Sequence, residues 1–150
     1  MERTLVLLKP DAVQRGLSGQ VIARIEARGL KIVGMKMLRM DRDLCGKHYA
    51  IHEGKPFFQG LVQFITSSPI VAIVFEGLNA VEVVRSTMGA TDPAKAQPGT
   101  IRGDLGLDIG RNLVHGSDSP TSATQEIALW FNESELVSYS QTLSPWLIES

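Results

Sequence analysis

The chain predicts an α+β or α/β fold around a core of about four strands, and three observations carry that prediction. Thr4–Leu8 and Ile70–Phe75 are continuous apolar runs of strand length, the second rich in β-branched residues. Lys31 to Arg39 alternates instead, with Ile32, Val33, Met35, Met37 and Met40 set around Lys31, Lys36 and Arg39. Between these runs lie stretches of helical spacing bounded by capping and stop residues. No repeat, low-complexity tract or linker divides the 150 residues, so one domain over residues 1–150 is expected.

In chain order, the first strand is stopped by Lys9-Pro10, where the Lys9 ammonium leaves the core and projects into a site. From Ser18, the expected N-cap, Val21, Ile22, Ile25 and Leu30 follow a helical period, and Gly29 is the stop. The alternating strand buries one face and is weakened by Gly34. Asp43 to Ile51 reads as a short helix, and Lys55-Pro56-Phe57-Phe58 opens another that runs to about Thr66. Ile70 to Phe75 takes a central place in the sheet. Asn79-Ala-Val-Glu82 has the form of an N-cap followed by a glutamate at the third helical position, starting a helix that ends near Gly89. Residues 89–111 show no sustained period and hold two prolines and four further glycines, which marks a functional or a disordered loop. Leu113 to Gly116 is a short strand, Ser119-Pro120 starts a helix, and Asn132-Glu-Ser-Glu135 repeats the capping pattern before a last helix. Strand-helix-strand-strand-helix-strand, with insertions, is the order of a ferredoxin-like split βαβ unit, although propensity alone does not choose the strand order.

A formal charge of -1 leaves no footprint for nucleic acid or an acidic membrane, so the charge of any ligand must be met by a local cluster of Lys and Arg. The lone Cys45 excludes an intramolecular disulfide, fits a reducing compartment and reads as a small buried hydrophobe. The apolar run at the N-terminus is too short for a signal peptide or a membrane span, and a cytoplasmic, soluble protein is expected.

The chemistry concentrates in Asn112-Leu-Val-His115-Gly-Ser117-Asp118-Ser119. Upstream lies a loop rich in Gly, Pro and cations, Thr91-Asp-Pro-Ala-Lys-Ala-Gln-Pro-Gly-Thr-Ile-Arg102-Gly-Asp104. A glycine-flanked histidine beside cationic side chains suits a nucleophile working on phosphate, because imidazole near neutrality is largely unprotonated. His48 and His52 stand four apart, as metal ligands on a helix can, but with no glutamate between them they read as solvated or capping residues. Neither a Gly-x-x-x-x-Gly-Lys-Ser/Thr loop nor a His-Arg-Asp catalytic loop occurs, so phosphate must be cradled by side chains.

With Lys9-Pro-Asp11, Arg15-Gly16, His48-Tyr49, Pro56-Phe57-Phe58, Gly60-Leu61-Val62, Gly89-Ala-Thr91-Asp-Pro93, Pro98-Gly-Thr-Ile-Arg-Gly-Asp104, Asn112, His115, Ser117 and Glu126-Ile-Ala-Leu-Trp130-Phe131 in order, the chain resembles the nucleoside diphosphate kinases over essentially its whole length. The resemblance implies a ferredoxin-like sandwich, an antiparallel four-stranded sheet with helices packed on it. It implies Mg²⁺-dependent transfer of a γ-phosphoryl group from nucleoside triphosphates to nucleoside diphosphates, through a phosphohistidine and with ping-pong kinetics. It also implies a homo-oligomer, a hexamer with a tetramer as the alternative.

By the same resemblance His115 is the nucleophile, Glu126 orients its imidazole, and Ser117 is hydrogen-bonded nearby. Lys9, Arg85 and Arg102, with Thr91 and Tyr49, hold phosphate oxygens, where fixed cations are the main requirement of phosphoryl transfer. Arg85 alternatively pairs with Glu82 three residues before it. Phe57 and Ile109 clamp the base, Leu61 supports Phe57, and Asn112 with Lys9 bonds the sugar hydroxyls. No side chain is assigned as a direct metal ligand; Asp118 holds at most a water of the Mg²⁺ shell. The chain departs from the family pattern at Ala12, where glycine is frequent, at Lys55, where arginine is frequent, and in its last residues.

Overall fold

The two uninterrupted apolar runs become the two inner strands of the sheet, which explains why they lack alternation: both of their faces are covered. In the computed structural model, which describes residues 1–149, β1 (Glu2–Leu8), β2 (Lys31–Leu38), β3 (Ile70–Gly77) and β4 (Val114–Gly116) form one four-stranded sheet in the order β2-β3-β1-β4. Every pairing is antiparallel. This is the ferredoxin-like arrangement. Seven helices surround it: α1 (Pro10–Gln14), α2 (Ser18–Ala27), α3 (Arg42–His48), α4 (Phe58–Thr66), α5 (Ala80–Met88), α6 (Ile101–Leu105) and α7 (Pro120–Trp130).

Period-two alternation splits the apolar residues into two cores. Val6, Leu8, Val71, Ile73 and Phe75 meet Val21 and Ile25 of α2 and Val84 and Met88 of α5 on one face. Leu5, Leu7, Ala72 and Val74 meet Cys45, Val62, Ile65 and Trp130 on the other, under α3, α4 and α7. Full burial of one such large side chain is worth about 2 kcal/mol, so both layers contribute substantially. Ala12 lies in α1, fully buried and without positive φ, so its methyl simply joins the first core.

Several boundaries differ from expectation. Ser18 is the first residue of α2 and Leu17 takes the N-cap position without a side-chain bond. Asn79 stands at the N-cap of α5 but is left-handed, with φ 52°, and does not cap it. Instead the Glu2 carboxylate accepts from the Val81 N–H at 2.8 Å, a tertiary cap that replaces the local one. Gly34 sits at a β-bulge, and a Cβ there would stand 2.8 Å from Leu136 Cδ2. The glycine thus weakens the strand locally while admitting the C-terminal segment.

The expected last helix does not form. Asn132 and Glu135 make their capping box, but only a single 3₁₀ turn, Glu133–Glu135, follows. Leu136 then packs beside Gly34, and the Val137 N–H donates to Val33 C=O at 2.7 Å, drawing the chain into extended form against β2. Residues 89–111 are ordered: 3₁₀ turns at Pro93–Lys95 and Ile109–Arg111 flank α6, which Thr100 caps and the fully buried Ile101 anchors in the first core. Among the described residues no helix is long and apolar enough to cross a membrane.

Candidate active site

His115 occupies the middle of β4, opposite Leu7. Because Val114 and Gly116 enter the layer under α5, His115 turns to the other face, where α7 lies. There its Nε2 is 2.9 Å from Glu126 Oε1, and the Ser117 hydroxyl donates to the same oxygen at 2.8 Å. Ser117 is fully buried and doubly tied to Leu5, so this group is fixed to β1. Burial raises the Glu126 pKa, but hydrogen bonds and charge from His115, with the Ser117 bond, outweigh it and hold the carboxyl below its ordinary value. An ionised carboxylate only accepts, so the imidazole proton is on Nε2 and Nδ1 keeps its lone pair.

A strained turn precedes the histidine. Leu113 is fully buried with φ 74°, left-handed geometry that costs about 1–2 kcal/mol for a residue with a Cβ. Asp11 Oδ2 accepts its N–H at 2.9 Å, and the Lys9 N–H donates to its carbonyl at 2.9 Å. The same junction brings Asn112 Oδ1 to 2.6 Å from Lys9 Nζ, while Asn112 Nδ2 donates to Thr91 C=O at 3.0 Å.

The cations converge around the backbone of His115. Arg102 is buried and donates through three nitrogens, to Asn112 C=O at 3.2 Å, Gly89 C=O at 3.1 Å and Val114 C=O at 2.6 Å. A Cβ on Gly116 would lie 2.7 Å from Met88 Sδ and 3.0 Å from Val84 Cγ1, so the glycine permits close packing of α5. That packing carries Arg85 to Gly116 C=O at 3.5 Å. Two guanidinium groups therefore flank His115 through the carbonyls before and after it. Among the described residues neither they nor Lys9 make an ion pair, and the Arg85–Glu82 pair does not form.

Unbalanced positive charge is visible in the pKa values. Burial and the neighbouring Arg102 push Lys9 down to about 8, with Asp11 partly opposing and Arg111 adding to the fall. Burial and Arg85 push Arg102 down to about 10. The unfolded chain keeps the Lys9 proton up to about 10.5, so this lysine opposes folding most below about pH 8 and ceases to above 10.5. A bound anion relieves the same tension. The activity ratio kcat/KM is therefore expected to fall on the alkaline side with an apparent pKa of about 8. Binding of a phosphate-bearing ligand at about pH 8.5 should take up protons as the anion raises Lys9 again, which calorimetry in two buffers measures. Proton release on binding would contradict this role of Lys9.

The remaining expected residues differ in exposure and partners. Phe57 is 53% and Ile109 55% exposed, two apolar faces without cover. Leu61 packs into the second core and its N–H donates to Phe57 C=O at 3.0 Å. Tyr49 is half-buried, and burial pushes its phenol well up. Thr91 contributes its carbonyl to Asn112, and Lys55 Nζ stands 3.3 Å from His52 Nδ1. Asp118 is exposed beside Arg85 and Glu82 in a shallow hollow.

Sequence reasoning missed two contributors. Asp11 was quoted only as part of a motif, yet it holds the Leu113 turn. His48, read as solvated or capping, is half-buried with its ring centroid 4.8 Å from that of His115, and Trp130 donates to its Nδ1. Ligating atoms of His48, His115 and Glu126 lie within 4.8 Å of one another, but this set does not fit Mg²⁺. Mg²⁺ demands oxygen ligands, and the one nearby carboxylate oxygen already takes two hydrogen bonds. The exposed carboxylate of Asp118 does suit a hydrated, phosphate-borne Mg²⁺.

The family model for nucleoside diphosphate kinase matches residues 2–136. The chain is 62% identical to the nucleoside diphosphate kinase of Pelotomaculum thermopropionicum and 58% identical to that of Carboxydothermus hydrogenoformans. In both cases 149 residues align, 99% of this chain and 100% of the relative. Among solved structures, a halophilic nucleoside diphosphate kinase from Halobacterium salinarum in complex with CDP is similar with a TM-score of 0.96 at 54% identity, covering 99% of each chain. A nucleoside diphosphate kinase family protein from Babesia bovis reaches 0.96 at 40% identity, over 99% of this chain and 100% of the other. The sheet order, the family match and these likenesses converge: the chain belongs to the nucleoside diphosphate kinase family of phosphotransferases.

Proposed function

We propose that the protein transfers the γ-phosphoryl group of a nucleoside triphosphate to a nucleoside diphosphate through a phosphohistidine at His115. The observation that carries this reading is the engagement of His115 Nε2 by Glu126, which leaves Nδ1 with its lone pair on a strand whose carbonyls before and after His115 both accept from guanidinium groups. Nδ1 forms a bond to the γ-phosphorus as the bond from that phosphorus to the β–γ bridging oxygen breaks, and the diphosphate leaves with the electron pair. The positive charge left on the imidazole is balanced by Glu126 through the Nε2–H, itself steadied by Ser117. An acceptor diphosphate then takes the phosphoryl group in the reverse sense, and His115 regains its lone pair.

Lys9, Arg85 and Arg102 supply positive potential for the peripheral phosphate oxygens, and Tyr49 and Thr91 add neutral hydroxyls to the same task. Bound on the phosphates, Mg²⁺ would neutralise charge, and Asp118 is the residue suited to hold a water of its shell. Asn112, oriented by Lys9 and the Thr91 carbonyl, serves the sugar hydroxyls. The CDP bound by the relative from Halobacterium salinarum supports a nucleotide in this cleft. The buried thiol of Cys45 agrees with a cytoplasmic setting.

Donor and acceptor share one pocket in this scheme, so initial rates should give parallel double-reciprocal lines. Lines intersecting to the left of the axis would defeat the shared site. Base selectivity should be weak, because Phe57 and Ile109 offer faces and no base-edge donor. Values of kcat/KM for purine and pyrimidine triphosphates should lie within about a hundredfold; a preference of about 10⁴ would reveal a polar reader.

A hexamer is proposed, on the resemblance and on the apolar surface left open. Leu107 is 88% and Trp146 87% exposed, two large apolar side chains that subunit contacts would cover. Light scattering should return six times the 16.4 kDa chain mass, and a stable fourfold mass would point to the tetramer.

A further inference from the structure

His48 closes one side of the His115 ring. Their centroids lie 4.8 Å apart at an interplanar angle of 77°, an edge-to-face contact. The same imidazole meets Tyr49 edge-on at 4.6 Å and Trp130 at 5.5 Å. Trp130 is buried at the end of α7, the helix that carries Glu126, and its Nε1–H donates to His48 Nδ1 at 3.0 Å. Indole nitrogen only donates, so His48 Nδ1 holds a lone pair and the proton of the neutral ring is on Nε2. That tautomer also disqualifies His48 as a ready metal ligand, since its one free nitrogen bears the proton.

We propose that His48 is a positioning residue for the phosphohistidine step: Trp130 locks it as a neutral Nε2–H imidazole whose packing fixes the His115 ring without adding charge beside it. This inference rests on the phosphohistidine reading given above. Attack through Nδ1 places positive charge on the His115 ring, and a second imidazolium in edge contact would oppose it. A charged His48 would also compete with His115 for Glu126. The groups facing His48 are His115 from β4, Glu126 and Trp130 from α7, and Tyr49 at its own helix end. Burial and the neighbouring His115 push His48 down to about 4, with Glu126 opposing, so the ring stays neutral through the working range.

The test uses the full chain and the rate of His115 phosphorylation by ATP in a single turnover, measured from pH 5 to pH 8.5. Trp130→Phe keeps an aromatic ring but removes the donor together with part of a buried indole, and the His48→Phe control separates the two effects. The acid limb of Trp130→Phe should move up by about one pH unit, into the measured range, cutting the rate at pH 5 roughly twofold relative to wild type and leaving the rate at pH 7 unchanged, while KM for ATP stays within about twofold. His48→Phe in the same background cannot protonate and should return the acid limb to the wild-type position. In ¹⁵N-histidine spectra of the wild type, His48 should show a bare Nδ1 and a protonated Nε2 throughout this range. An unmoved acid limb in Trp130→Phe, a change confined to KM, or the opposite tautomer would overturn the role of His48 in an enzyme that takes up phosphate. A wild-type protein that takes no phosphate would instead overturn the phosphohistidine reading, and the role of His48 with it.

Discussion

Replacing His115 with alanine should abolish phosphotransfer, a loss on the order of 10⁵-fold, while leaving the fold and most nucleotide affinity in place. In the proposed mechanism the imidazole alone supplies the covalent step, whereas Lys9, Arg85, Arg102 and Asn112, the residues proposed to hold the ligand, are braced by one another and by backbone carbonyls and not by the His115 ring. Its backbone pairing with Leu7 does not depend on the side chain. Glu126 loses one partner but keeps Ser117, and at 20% side-chain exposure it retains some contact with water, so destabilisation should be modest. An exchange assay alongside equilibrium binding of a nucleoside diphosphate separates the two effects. Exchange at even one hundredth of the wild-type rate would exclude His115 as the nucleophile.

Replacing Glu126 with glutamine should be the next most damaging change. A carboxylate can only accept from Nε2, but an amide can also donate to it, which would place the imidazole proton on Nδ1 and block the lone pair. Mis-set tautomers in histidine-dependent sites cost about 10³–10⁴ in rate, and a loss near the lower end is expected because Ser117 still anchors the side chain. The fall should appear in kcat with KM nearly unchanged, since Glu126 touches the nucleophile and not the phosphate cluster. Because its carboxyl is held below the ordinary value, Glu126 contributes stability at neutral pH that is lost as pH falls through the folded-state pKa. The glutamine variant should therefore lose part of the protein's acid sensitivity as well as its activity. A kcat within tenfold of wild type would remove Glu126 from the mechanism.

The inner strands were legible because burial on both faces leaves an unbroken apolar run, and only β1 and β3 have it. The nucleophile motif was equally legible, being contiguous. What the sequence did not disclose depends on contacts distant along the chain. Leu113-Val-His-Gly looks like any strand start, and the left-handed Leu113 exists because Asp11, 102 residues away, accepts its N–H. The Asn132–Glu135 capping box is a local signal and forms as expected, but it does not know that Leu136 will pack beside Gly34 and end the turn. Arg102 was read as a grip on phosphate, yet three of its nitrogens brace backbone carbonyls, a load invisible before the loop is folded. The spacing of His48 to His52 carries no information about its environment, because its hydrogen-bond partner, Trp130, stands 82 residues away.

The central claim is that His115 carries the phosphoryl group between nucleotides, and the most direct measurement is to trap it there. The protein incubated with γ-labelled ATP and Mg²⁺ should take up label that survives base, is lost in acid, maps to the peptide containing His115, and is discharged at once by any nucleoside diphosphate. Label that is absent, that survives acid, or that maps to another residue would contradict the account.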